Sequence, residues 1–164
     1  MQIKVISNSP FFTKDLGRTF SKVVSEGDII LFSGELGGGK TTFITGIAGG
    51  FGLMGKISSP SFTIINEYLI DSWRKLVHVD LYRLENIGEV EGIGLDDYLY
   101  DGTSIICVEW GDRIKGYIKR EFMEVDFSYV MNGKDEENKR KIIFKSSGKL
   151  WDGKLKEFEK IFGK

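Results

Sequence analysis

One cysteine, one histidine and two prolines among 164 residues exclude several protein classes at the outset. Cys107 has no partner in the chain for a disulfide, and one Cys with one His, His78, cannot assemble a zinc site. A reducing compartment suits such a chain. Stability then has to come from burial. A chain of this size loses roughly 68–70% of its extended surface on folding, and 41% of its residues are hydrophobic. No uninterrupted apolar run approaches the ~20 residues of a bilayer span, and the opening MQIKVISNSPFF has no secretory apolar core. An excess of positive charge is missing as well: 23 Lys and Arg stand against 24 Asp and Glu, a net charge of −1. That is not the footprint of a protein that grips nucleic acid through its phosphates alone. These features describe a cytoplasmic protein that does not enter membranes, and the length fits one domain over residues 1–164.

What the chain has in surplus is glycine, 21 residues in all, against an average usage of about 7%. Much of the surplus falls in residues 34–55 and 88–94. Residues 2–7 alternate like a half-buried strand, and 13–25 place Leu16, Phe20, Val23 and Val24 at helical spacing. IILFS, from Ile29, is too short and too apolar for anything but the centre of a parallel sheet. A glycine loop follows, then a helix over 41–48 that the pair Gly49-Gly50 is expected to end. Residues 61–70 and 76–82 read as two strands of a possible hairpin, 85–100 as one or two short helices, and SIICVEW at 104–110 as a second fully apolar strand. Two β-patterned runs, 121–130 and 141–145, are joined by the charged turn NGKDEENKR, and an amphipathic helix with Trp151, Leu155, Phe158 and Phe162 closes the chain. The expected fold is α/β and three-layered, like a P-loop NTPase, with a mostly parallel central sheet and antiparallel additions.

GELGGGKT at 34–41 satisfies G-x4-G-K-[ST], with an apolar strand entering and a helix leaving, the context the pattern requires. Glycines 37, 38 and 39 let the backbone approach phosphate oxygens where a Cβ would collide, and Lys40 brings a point charge to the β and γ oxygens. The Thr41 hydroxyl is placed for Mg²⁺, while Thr42 is either an α-phosphate contact or an ordinary helix residue. A magnesium–nucleotide site also needs a carboxylate. Asp80 follows VHV and Glu109 follows IICV, and parallel strands deliver their ends to the edge that carries the loop. One would hold the metal and the other orient the attacking water, with the assignment open. The guanine-reading N-K-x-D element and the D-x-x-G switch are missing, so ATP is the expected nucleotide. With six arginines and no arginine-rich lid the alternative of a small-molecule kinase is weaker.

In order along the chain, GELGGGKTTF, SPSFTIINEY at 59–68, HVDLYRL at 78–84 and a strand ending in Glu109-Trp110 resemble the motifs of the TsaE (YjeE) family. The resemblance covers most of residues 27–113. It implies a bacterial P-loop ATPase required for threonylcarbamoylation of adenosine 37 in tRNAs that read ANN codons. Its partners would be the TsaD and TsaB transferase subunits, with TsaC making the threonylcarbamoyl-AMP donor and tRNA met only through the complex. It further implies that residues 37–42 bind the triphosphate, that Thr41 and Glu109 contact Mg²⁺, that Asp80 assists hydrolysis, and that 59–63 form a switch-like loop. The family more often has S-P-T at 59–61, Asp at Glu35 within the nucleotide-binding loop, and Pro or Ala at Gly111.

Other residues divide between roles. His78 is a packed strand residue or part of the chemistry, and Arg83 a structural ion-pair partner or a phosphate contact. Trp110 belongs to the core or the site, and Cys107 is a small buried hydrophobe. Lys115, Lys119 and Arg120 form a basic cluster that is ordinarily solvated, and residues 9–13 lie within possible reach of the adenine.

Overall fold

The computed structural model describes residues 1–53, 55, 57–60, 63–86, 88–130 and 139–163. Strand β1 (Gln2–Ser7) leads into helix α1 (Pro10–Phe20), which begins three residues earlier than its apolar spacing suggests. The reason is local: the Ser9 hydroxyl accepts from the Phe12 N–H, and Pro10 occupies the first turn, where no backbone N–H is needed. The expected extension to residue 25 is replaced by a 3-10 turn over Ser21–Val23. Strand β2 (Ile29–Gly34) enters the glycine loop and helix α2 (Lys40–Gly50) leaves it.

Gly49-Gly50 does not stop this helix. Both residues lie inside it, and Phe51 caps it. The glycines of α1 and α2 serve helix packing instead: a Cβ on Gly46 would stand 2.0 Å from the Lys14 carbonyl oxygen, and one on Gly17 2.2 Å from that of Phe43. The two helices therefore approach so closely that a side chain at either glycine would collide with the facing backbone.

Strands β3 (Ile65–Leu69) and β4 (Lys75–Asp80) form the expected antiparallel hairpin. Of the residues assigned to the start of β3, Ser61 and Phe62 lie outside the described residues. Strand β4 stops at Asp80 instead of reaching Tyr82, with the Leu81 N–H still bonding the Glu109 carbonyl at 3.2 Å. Two short helices follow, α3 (Gly88–Gly92) and α4 (Leu95–Leu99), then β5 (Ser104–Glu109), buried along its whole length. Strands β6 (Met123–Tyr129) and β7 (Arg140–Ser146) precede helix α5 (Lys149–Phe162). Residues 131–138, which hold most of the expected charged turn and its Asn138, lie outside the described residues.

Among the described residues seven strands form one sheet in the order β1-β7-β6-β2-β5-β4-β3. Its centre is parallel, β6 with β2, β2 with β5 and β5 with β4, and its flanks are antiparallel. This is the expected α/β architecture of three layers. Helices α1, α2 and α5 cover one face around a cluster of rings in which Phe20 lies 5.1 Å from Phe158 and 5.4 Å from Phe144 between centroids. The short helices and the 3-10 turn Gly111–Ile114 cover the other. No helix among the described residues is long and apolar enough to cross a membrane.

The α1–α2 contact leads to a mutational expectation. Gly46→Ala should destabilise by about 1–3 kcal/mol, the usual cost of overpacking, whereas Gly116→Ala, with open space where the methyl would go, should stay near neutral. Urea denaturation of both variants measures this, and equal stabilities would contradict the close approach.

Candidate functional site

Two consequences of strand geometry build the site. Parallel pairing sets Phe32 opposite Glu109 and Asp80 opposite Glu109, so the end of β2 and both acids reach one edge of the sheet. Strand alternation then puts Asp80 and Glu109 on the face of Leu76, Ile105 and Cys107, the face packed by α2. The two carboxylates thus arrive beside the first turn of the helix that follows the glycine loop.

Within the loop Gly37 and Gly39 have φ of 71° and 106°, a left-handed conformation costly to any residue with a Cβ. A Cβ on Gly38 would lie 2.9 Å from the Glu35 carbonyl oxygen. Gly39 begins α2 with no side-chain cap, so its first N–H groups are available to an anion. Lys40 is only 4% exposed, and its Nζ donates to the carbonyls of Gly34 (2.7 Å) and Glu35 (2.8 Å). Burial lowers its pKa, while the negative charges of Glu109, Asp80 and Asp112 pull it back up. Its ammonium also sits 4.3 Å from the centroid of the Trp110 ring.

Thr41 Oγ1 donates to Glu109 Oε1 at 2.7 Å, and His78 Nε2 lies 2.8 Å from the same oxygen. Asp80 Oδ1 accepts from the Tyr82 N–H at 3.0 Å. Asp80 and Glu109 are 7% and 5% exposed. Together with residues 36–42 they line a cavity of about 320 Å³, to which Ser59, Tyr82, Arg83 and Trp110 also contribute. Lys40, Thr41, Asp80 and Glu109 therefore converge. Glu35 takes part through its backbone, its exposed side chain lying outside the lining. Thr42 lines this cavity and also a narrow cleft of about 60 Å³ with Pro10, Thr13, Gly37, Gly39 and Arg140. That cleft is where the 9–13 segment meets the loop. Ser59 lines the cavity, and Ser61 and Phe62 of the 59–63 segment lie outside the described residues.

The donor set fits a magnesium–triphosphate. Backbone N–H groups, a buried ammonium, a hydroxyl and two carboxylates surround one space. Among the described residues no group of three or more His, Cys, Asp or Glu could cage a metal by itself. A cation held here would take its remaining ligands from phosphate and water, as Mg²⁺ usually does.

Several features were not legible in the residues alone. Ile64 and Trp110 hold positive φ, 68° and 61°, an outlier conformation for a β-branched residue. Both adjoin an acid: the Ile64 carbonyl accepts from Asp80 N–H at 2.9 Å, and Trp110 follows Glu109. Backbone strain of this kind concentrates at functional sites. Arg113 Nη1 donates to the carbonyls of Leu81 (2.7 Å), Tyr82 (3.0 Å) and Leu84 (2.6 Å), pinning the segment that leaves Asp80. The basic cluster is tied into the structure: Lys115 pairs with Glu124, Lys119 bonds the Gly116 carbonyl, and Arg120 bonds that of Leu99. Burial pushes the Cys107 thiol well up, which leaves it a small hydrophobe.

A G-x4-G-K-[ST] loop between a central parallel strand and its helix, with acids on the neighbouring strand ends, defines a protein of the P-loop class. The family model described as "Threonylcarbamoyl adenosine biosynthesis protein TsaE" matches residues 7–142. The chain belongs to the TsaE family, whose members function in tRNA threonylcarbamoyladenosine biosynthesis. It is 34% identical over 151 residues to the TsaE protein of Bacillus subtilis, covering 92% of this chain and 90% of that one. The Streptomyces coelicolor protein of the same name is 43% identical over 101 residues, with 60% and 67% of the two chains covered. The crystal structure of YdiB from Bacillus subtilis superimposes with a TM-score of 0.78 at 30% identity, over 98% of this chain and 95% of that one.

The Arg113 clamp can be tested directly. Arg113→Ala should cost about 1–3 kcal/mol, since bonds to a charged donor are lost and carbonyls are left without it. Amide exchange should quicken selectively at residues 81–84. Unchanged stability together with unchanged exchange there would show that the clamp does not restrain the segment.

Proposed function

We propose that the chain is a magnesium-dependent ATP hydrolase that supports threonylcarbamoylation of adenosine 37 in tRNAs reading ANN codons, coupled to the TsaD–TsaB transferase. The observation that carries this reading is the convergence of Lys40, Thr41, Asp80 and Glu109 around the glycine loop. Residues 37–42 cradle the triphosphate by backbone N–H groups, and Lys40 neutralises its β and γ oxygens. Thr41 and Glu109, already hydrogen-bonded to each other, are the residues that would hold Mg²⁺. Bound there, the ion would polarise the phosphoanhydride and offset developing charge. Asp80, anchored by the Tyr82 N–H, orients the water that attacks the γ-phosphorus.

The chain's net charge of −1 supports a protein partner over direct capture of tRNA, so tRNA is met through the complex. Leu36 and Tyr82, 70% and 50% exposed, lie on the cavity lining, where a covering partner would bury them. ATP turnover then switches the chain between states that bind the transferase differently, which requires that ATP itself bind those states with different affinity. The chain acts in the cytoplasm, where that complex meets tRNA.

The expected outcome is Mg²⁺-dependent phosphate release, faster with TsaD and TsaB present. Lys40→Ala, Asp80→Ala and Glu109→Ala should each lower it by on the order of 10²–10³. Full activity in either carboxylate variant removes that residue from the site, and a rate indifferent to the partners removes the coupling. Phosphate appearing on an added small-molecule acceptor instead of in solution would favour the kinase reading.

A further inference from the structure

We infer that His78 is a positioning residue for the metal-binding carboxylate: its Nε2–H and the Thr41 hydroxyl together fix Glu109 through one oxygen and leave the other for Mg²⁺. The inference rests on the magnesium–nucleotide reading above and assigns a role to the chain's only histidine.

His78 is 0% exposed, on a strand whose other central positions are Leu76, Val77 and Val79. An apolar residue would fill that place without the cost of burying a ring with two polar nitrogens. Its Nδ1 has no hydrogen-bond partner among the described residues, an uncompensated cost for a buried polar atom. The ring is therefore kept for the one bond it makes, Nε2 to Glu109 Oε1 at 2.8 Å. A carboxylate only accepts, so Nε2 carries the proton. Nδ1 is the nitrogen left without a partner, so the ring's one hydrogen bond is the one to Glu109.

Register makes the bond specific. His78 pairs with Cys107 and Asp80 with Glu109, so the ring stands on the same face as both acids, one pleat further from the loop. From there the ring on β4 and the Thr41 hydroxyl in the first turn of α2 reach Glu109 from two separate elements. Both donors converge on Oε1. Among the described residues no hydrogen bond is made to Oε2, while Glu109 lines the cavity. Two donors on one oxygen remove the rotational freedom that an exposed glutamate would have to lose on binding a cation. Partners that hold a ligating carboxylate in this way typically contribute 10–100-fold to metal affinity or activity, an order-of-magnitude range.

Two measurements on the full chain decide the matter. Because there is a single histidine, ¹⁵N NMR of the ring gives one unambiguous set of resonances, and the Nε2–H tautomer is expected at neutral pH. The Nδ1–H tautomer would overturn the inference by itself, whether or not any variant folds. Second, Mg²⁺ titrations of nucleotide binding and of partner-stimulated hydrolysis compare wild type, His78→Leu and His78→Gln. His78→Leu should raise the Mg²⁺ needed for half-maximal response about 10–100-fold, with nucleotide affinity in EDTA unchanged. His78→Gln, whose amide can donate from a similar place, should recover most of the loss. A His78→Leu response equal to wild type, or equal losses in both variants, overturns the positioning role alone. A wild-type chain that binds nucleotide without regard to Mg²⁺ overturns the parent reading and this inference with it.

Discussion

Everything at the candidate site depends on the parallel register that places Asp80 and Phe32 on either side of Glu109. A slip of one residue would turn the acid to the opposite face of the sheet, among Val77, Val79 and Val108. A slip of two would move it by about 6–7 Å, beyond hydrogen-bond reach of Thr41. The register is in turn held by burial. Strand β5 is covered on both faces, and each of its apolar positions has its own layer of helices or turns to fill. The chemistry at the sheet edge is thus specified by the packing beneath it.

That packing carries an uncommon polar load. Lys40, His78, Asp80 and Glu109 are each below 10% exposed and stand close together. Removing charges from water costs several kcal/mol per ion unless partners compensate, and here they compensate one another. Lys40 bonds two loop carbonyls and faces Trp110, Glu109 takes Thr41 and His78, and Asp80 takes a backbone N–H. Positive φ at Ile64 and Trp110 adds backbone cost on both sides of the acids. The remainder of the fold offsets this with a dense aromatic core and the glycine-mediated contact of α1 with α2. A segment kept in such a state despite its cost is the usual mark of a working site.

Much of this was legible in the residues because the signals were physical and local. The strand–loop–helix context of residues 29–48, the two apolar strands that end in Asp80 and Glu109, and the antiparallel additions all follow from periodicity and from the needs of phosphate binding. The family resemblance, carried by four motifs in order, agrees with the match over residues 7–142. What could not be read belongs to tertiary packing. Gly49 and Gly50 look like a stop signal, yet Gly50 sits against Ser21 and the helix continues through both. Nothing in the residues after Trp110 shows that Arg113 reaches back 29 to 32 positions to three carbonyls. The start of α1 was available in Ser9-Pro10, a capping signal outweighed by the apolar spacing that begins later. His78 shows the limit most plainly, since alternation places it on the face of Glu109 but the bond itself is set by the tertiary fold.

The central claim is that one turn, residues 34–41, grips a triphosphate and its metal. Crystals of the full chain grown with Mg²⁺ and a non-hydrolysable ATP analogue test it most directly. The account predicts phosphate oxygens on the N–H groups of residues 37–42 and on Lys40, with the ion bound at Thr41. An analogue bound elsewhere, with that turn and its ammonium making no contact to phosphate, would contradict it.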